Sequence, residues 1–178
     1  MNKKTGTLVS NKKVFPRVIG VTGKIGAGKS SFIREFMSHH FDTERVATGD
    51  VLKETLDLWG LAATRERLLL LSSIIREKFG SQIISEVVQK RILMSNSQYV
   101  LIDGIRGENV MKVLRSFDNS LLVAIQAEDR IRYERIIQRG EKPDEAALSY
   151  TDFELLDQQV FQEEVTALEK EADIKIEN

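Results

Sequence analysis

A three-layer α/β fold, with a parallel sheet of about five strands and helices on both faces, is what this chain of 178 residues predicts. Runs at 17–22, 99–103 and 121–125 are β-branched or continuously apolar, as strands covered on both faces are. Segments with apolar residues at helical spacing alternate with them. The first run leads directly into Gly23-Lys24-Ile25-Gly26-Ala27-Gly28-Lys29-Ser30, which fits G-x-x-x-x-G-K-[ST], the loop that cradles phosphates.

Taken in order, residues 1–16 are polar, carry Lys3, Lys4, Lys12 and Lys13, and end at Pro16. They read as a mobile arm with Thr7-Leu8-Val9 as a candidate short strand; a basic nucleic-acid tail is the alternative. Residues 17–178 form one domain. After the strand at 17–22 and the loop, Phe32, Ile33, Phe36 and Met37 mark an amphipathic helix. A strand at 45–50 ends in a turn, and helices are expected over 51–59, 64–79 and 82–94. In the last of these, Ile84, Val87, Val88, Arg91 and Ile92 form a stripe that reads as core. The strand at 99–103 stops at a carboxylate and is followed by Gly104 and a helix over 108–115. A strand at 121–125, a helix over 128–139, a polar segment at 140–149, a helix over 151–171 and a strand at 173–176 complete the chain. The region of about 51–96 would form an acceptor-binding helical flap and about 140–151 a short lid.

Each residue type in the loop has a chemical reason. Glycines let successive backbone N–H groups curl around an anion, and the following helix aims its N–H groups and dipole at the same charge. Residues Gly23 to Ser31 would hold the phosphates of ATP. Lys29 would reach the β and γ phosphates, and the Ser30 hydroxyl would bind Mg²⁺. The alternative is an ordinary glycine turn between strand and helix.

In a parallel sheet ligands gather at the carboxyl ends of the strands, and several polar residues fall there. Asp103 ends an apolar strand, where a carboxylate orients Mg²⁺ or its waters; a turn or capping Asp before Gly104 is the plainer reading. Asp50 either caps the helix starting at Val51 or holds the acceptor. Arg106, three residues after Asp103, offers a fork of donors to phosphate oxygens, against a solvated surface Arg. Arg132, Arg135 and Arg139 share one helical face just before the lid, and Arg135 or Arg139 is expected to touch phosphate. His39 and His40 read as a polar helix end.

Together these segments resemble the P-loop nucleoside monophosphate kinase superfamily, within the P-loop NTPase fold. Thr48-Gly49-Asp50-Val51-Leu52-Lys53 looks like the Thr-Gly-Asp-x-Leu-Arg segment of adenylate kinases, with Lys53 in place of the Arg. The resemblance implies that Thr48, Asp50 and Lys53 bind the acceptor monophosphate. Asp103-Gly104-Ile105-Arg106 is similar to their Asp-Gly-x-x-Arg, one residue shorter. Glu134-Arg135-Ile136-Ile137-Gln138-Arg139 is similar to their arginine helix, which implies that Arg135 packs on the donor adenine and Arg139 touches phosphate. The stretch Ile19 to Ser30 and the ending Ala172-Asp173-Ile174-Lys175-Ile176-Glu177-Asn178 resemble dephospho-CoA kinase instead. The chain also resembles an archaeal-type dephospho-CoA-kinase-like group. From Gly140 onward there is no Arg, so the lid lacks the arginines that several such kinases use.

Composition narrows the function classes further. With 26 Lys+Arg against 27 Asp+Glu there is no global basic field for nucleic acid. The longest wholly apolar runs are a few residues, such as Leu68 to Leu71, so no membrane span is expected. There is no apolar h-region near Lys3 and Lys4, and no cysteine, which together suit a cytoplasmic protein without disulfides or thiolate metal sites. The leading expectation is an ATP-dependent, Mg²⁺-assisted kinase of a nucleotide-like acceptor, with Lys29, Asp50, Arg106, Arg135 and Arg139 as its machinery. A nucleoside or deoxynucleoside monophosphate ranks slightly above dephospho-CoA as acceptor. A nucleotide-binding regulatory ATPase, or a degenerate kinase, is the reading from another class. A GTPase would want Asn-Lys-x-Asp, and the only Asn-Lys pair is Asn11-Lys12.

Overall fold

The computed structural model describes residues 17–139, 148–159 and 162–178. In chain order these form β1 (Arg17–Thr22), α1 (Lys29–His39), β2 (Thr43–Ala47), α2 (Thr48–Leu58), α3 (Arg65–Phe79), α4 (Ile83–Met94) and β3 (Tyr99–Asp103). Then follow α5 (Glu108–Arg115), β4 (Ser120–Gln126), α6 (Asp129–Arg139), α7 (Tyr150–Gln159), α8 (Gln162–Lys170) and β5 (Ile174–Glu177). The five strands pair in parallel in the order β2-β3-β1-β4-β5, so β1 is central. The expected α/β architecture is the one observed.

Alternation along the strands divides the core into two layers. Val18 of β1, Val100 and Ile102 of β3 and Leu122 of β4 pack with Val88 and Ile92 of α4, Leu114 of α5 and Leu168 of α8. Their sequence neighbours Ile19, Val21, Leu101 and Val123 point the other way and pack with Ile33 of α1. The three inner strands β1, β3 and β4 thus bury both faces, which is why they read as continuous apolar runs. Helices α2, α3 and α4 hold a small cluster of their own around Leu52, Leu56 and Leu71, and Arg91 of α4 is paired with Glu54 of α2.

Several boundaries differ from expectation. The second strand runs Thr43–Ala47 rather than 45–50, and α2 begins at Thr48 rather than Val51. Thr48-Gly49-Asp50 looks like a turn locally, but the Thr48 hydroxyl donates to Gly104 O at 3.2 Å and ties the segment to the end of β3. Within the helix expected over 151–171, the described residues form α7 and α8, and 160–161 lie outside the described residues. The final strand lies one residue later than expected. The arm at 1–16, with its candidate strand, and lid residues 140–147 lie outside the described residues. No helix among the described residues is long and apolar enough to cross a membrane.

Gly20 shows how tightly the central strand is packed. A Cβ there would sit 2.4 Å from Ile105 Cδ1 and 2.7 Å from Leu114 Cδ2. Gly20→Ala is expected to destabilise the fold by about 1–3 kcal/mol through overpacking. The measurement is the urea unfolding midpoint, which should fall at constant m-value; an unchanged midpoint would mean the two side chains repack freely.

Candidate active site

The register of the sheet brings three strand ends into one row. Val21 of β1 and Ala47 of β2 are both Cα partners of Asp103 in β3. Behind that row the chain is braced: the backbone N–H groups of Gly104 and Ile105 donate to Val21 O, and the buried Thr22 hydroxyl donates to Ile105 O at 2.9 Å. The glycine loop, the turn after β3 and the start of α2 therefore stand side by side.

The loop curls because its glycines adopt left-handed conformations. Gly23 has φ +139° and Gly26 φ +77°, where side chains are rarely tolerated. A Cβ at Gly23 would also lie 2.2 Å from Ile125 O, and one at Gly26 2.6 Å from Arg132 O. Gly28 caps α1 with no side-chain hydrogen bond, so the first N–H groups of the helix remain available to an anion. Ser30 is exposed in that first turn, and the Ser31 hydroxyl accepts from Arg34 at 3.3 Å.

Lys29 is folded into the loop. Its ammonium donates to Gly23 O at 2.7 Å and Lys24 O at 2.8 Å. Its pKa is lowered from 10.5 to about 8, first by burial and then by Arg106; Asp103 pulls it upward, while Arg132 and Arg139 push it down. The sequence-predicted Asp103, Arg106 and Arg139 thus all act on one ammonium. Arg135 donates to Ala27 O at 3.4 Å, alongside Asn178 Nδ2 at 3.0 Å, and so lies against the loop.

Other expected residues are placed differently. Asp50 is the third residue of α2, whose N-cap is Ala47, so it is not a cap; its carboxylate instead accepts from Arg45 at 2.9 Å. Lys53 is exposed and paired with Asp57 at 3.0 Å, one turn along α2. Lys24 is drawn toward Asp157, at 3.5 Å.

Two residues organise the site: Arg45, which sequence reasoning passed over, and Arg132, which it placed on the arginine face of its helix without the buried partners it has. Arg45 of β2 donates through Nε to Asp103 Oδ2 at 2.8 Å, with Nη2 in an ion pair 2.7 Å from the same oxygen, and through Nη1 to Asp50. Arg132 of α6 is wholly buried and makes a bidentate pair with Asp157 of α7, at 2.7 and 2.6 Å. It also donates to Asp129 at 2.7 Å and to Ile25 O in the loop at 3.0 Å, and it lies over the Phe153 ring. The i, i+3 spacing to Arg135 was visible, but Asp157 is 25 residues away and Asp103 is 58 from Arg45, beyond any local pattern.

The donor chemistry fits Mg²⁺. Ser30 and Asp103 offer hard oxygens, and Mg²⁺ takes one or two protein oxygens with substrate phosphates and waters completing its shell. Among the described residues no cluster of three or more His, Cys, Asp or Glu forms a self-sufficient metal site.

Asp157→Asn is expected to destabilise the fold by about 3 kcal/mol, because it leaves a buried guanidinium without its main counter-charge. Thermal unfolding would show it as a clear drop in Tm; an unchanged Tm would mean that Asp129 alone suffices.

Comparison with known proteins places the chain in a family. The family described as an AAA domain matches residues 19–162. A UPF0200 protein of Thermococcus kodakarensis is 30% identical over 142 residues, covering 77% of this chain and 75% of that protein. Among solved structures, TT1252 from Thermus thermophilus superposes with a TM-score of 0.59 at 16% identity, covering 93% of this chain and 90% of its own. Shikimate kinase from Bacteroides thetaiotaomicron gives 0.58 at 12% identity, covering 90% and 85%. These structures share the fold. The chain belongs to the UPF0200 family, carries an AAA domain, and has the α/β architecture of P-loop kinases.

Proposed function

We propose that this member of the UPF0200 family is an ATP-dependent phosphotransferase. It would move the γ-phosphate of Mg²⁺·ATP to a small nucleotide-like acceptor, with a nucleoside or deoxynucleoside monophosphate ranked first. The observation that supports the reading most is the charge gathered on Lys29, an ammonium kept at low pKa inside a phosphate-cradling loop, with Arg106, Arg139 and Asp103 acting on it. A site of this kind suits phosphoryl transfer, in which positioning and charge do most of the catalysis.

Lys29 exchanges the carbonyls of Gly23 and Lys24 for β and γ phosphate oxygens. Arg135 lies against the nucleotide, while Arg106 and Arg139 neutralise charge that develops on the transferring group. Ser30 and Asp103 hold Mg²⁺, which when bound neutralises phosphate charge. An acceptor oxygen attacks the γ phosphorus, the bond to the β–γ bridging oxygen breaks, and ADP leaves with that electron pair. For a monophosphate acceptor the attacking oxygen is already ionised, and Asp50 serves to orient Arg45 and, with Thr48 and Arg106, the acceptor. A hydroxyl acceptor such as dephospho-CoA is the second reading. The partly exposed Asp50 carboxylate favours it, because a hydroxyl nucleophile has a proton to give up.

The deciding assay follows ADP formation from Mg²⁺·ATP with a panel of nucleoside monophosphates and dephospho-CoA. ADP that appears with one acceptor identifies the reaction; equal ADP without any acceptor marks an ATPase instead. Lys29→Ala is expected to abolish turnover. Asp50→Asn is expected to lower transfer by about 10²-fold through lost positioning of the acceptor while leaving affinity for a fluorescent ATP analogue unchanged; normal transfer would remove Asp50 from the machinery.

Lys29 also predicts a pH signature. Between about 8 and 10.5 the unfolded chain keeps this proton and the folded one has lost it, so this group makes the fold more stable as pH rises through that window. Phosphate favours the charged amine, so nucleotide binding at pH 8 is expected to take up about half a proton. Calorimetry in buffers of different ionisation enthalpy measures that uptake, and an enthalpy independent of buffer would contradict it.

A further inference from the structure

The structure assigns to Arg45 the role of a cationic latch: it competes with the divalent cation for Asp103, so that metal enters with the nucleotide and not ahead of it. The inference rests on the reading of Asp103 as the metal-holding carboxylate.

Nε donates to Asp103 Oδ2 and Nη2 stands 2.7 Å from the same oxygen, so the guanidinium fork is turned onto this carboxylate in a close, charge-assisted pair. Nη1 meanwhile holds Asp50, so one guanidinium bridges the carboxylates in the first turn of α2 and at the end of β3. The Asp103 side chain is only 15% exposed, whereas that of Arg45 is 40% exposed. The carboxylate is therefore fixed in a partly desolvated place, and the arginine has solvent into which to move. A divalent ion on Asp103 would face the positive charge of Arg45 across the same carboxylate, which raises the free energy of both.

Among the described residues no third carboxylate joins Asp103 and Asp50 in a metal-holding cluster. The further negative charge that tips the exchange has to arrive with the nucleotide phosphates. Once Asp103 turns to metal, Arg45 keeps Asp50 and stays beside the acceptor end of the site. The opposite possibility is that Arg45 orients Asp103 for the metal, in which case removing it would weaken metal binding. The two differ in sign.

The test titrates Mn²⁺ into the full chain without nucleotide, following free Mn²⁺ by electron paramagnetic resonance. Arg45→Gln is expected to bind Mn²⁺ at least fivefold more tightly than the unsubstituted protein. Arg45→Lys, which keeps the charge but loses the fork, should fall between them. Adding Asp103→Asn to Arg45→Gln should erase the gain. In a second arm, a fluorescent ATP analogue is bound in EDTA and Mg²⁺ is added back; half-maximal response should need at least threefold less Mg²⁺ in Arg45→Gln. Mn²⁺ or Mg²⁺ affinity that is unchanged or weaker in the Arg45 variants overturns the latch, and the Lys variant decides alone if the Gln variant does not fold. Failure of the ATP analogue to bind the unsubstituted protein even with Mg²⁺ present would instead count against the kinase reading, leaving the nucleotide-free titration to decide the latch.

Discussion

A guanidinium taken wholly out of water must find its counter-charge inside the protein, and the two terminal nitrogens of Arg132 find theirs on three elements at once, while its buried Nε has no partner among the described residues. Its partners are Asp129 of its own helix, Asp157 of α7 and the carbonyl of Ile25 in the glycine loop. Phe153, fully buried beneath the guanidinium, is stacked in turn against Tyr133 and Tyr150. Because an unpaired buried charge is so unfavourable, these contacts hold together as a set. The loop is thereby pinned from below by α6 and α7, while β1 and α1 fix its ends.

Pinning matters because the loop is crowded with positive charge. Lys24, Lys29, Arg132 and Arg135 all touch it, and Arg106 and Arg139 act on Lys29 from nearby. Asp157 balances the side beneath the loop by holding both Arg132 and Lys24. Asp103 balances the side that faces the neighbouring strand. What is left over is a cationic surface presented by backbone N–H groups and a lysine whose proton is loosely held, an arrangement suited to polyphosphate. On the adjacent strand ends the balance is reversed, since Arg45 stands between two carboxylates.

Legibility in the sequence followed how local each signal was. The strands at Arg17–Thr22 and Tyr99–Asp103 and the helix at Glu108–Arg115 appear where their patterns put them, because burial on both faces or a sharp amphipathic period is written in consecutive residues. The edge strand β2 buries only Val46 and Ala47, so its start carries almost no apolar signal and was read two residues late. Thr48-Gly49-Asp50 was read as a turn, yet it opens a helix once Thr48 is anchored to the carbonyl of Gly104. The spacing of the glycine loop and of Arg135, and the abrupt end of an apolar run at Asp103, were legible as patterns, and the fold sets these three side by side. Arg45, Asp157 and the internal role of Arg132 were not legible.

By itself, then, the sequence determined that this chain builds a parallel α/β sheet around a phosphate-cradling loop, since strand, glycine turn and helix follow one another along the chain without needing any distant partner. Which charges meet across that sheet was decided only in three dimensions. Arg45 and Asp103 become partners because parallel register sets Ala47 beside Asp103, and Arg132 reaches Asp157 because α7 docks against α6. Ion pairs form wherever the fold brings opposite charges together. Without register and helix packing, an arginine on an edge strand and another on an amphipathic helix look like ordinary surface residues.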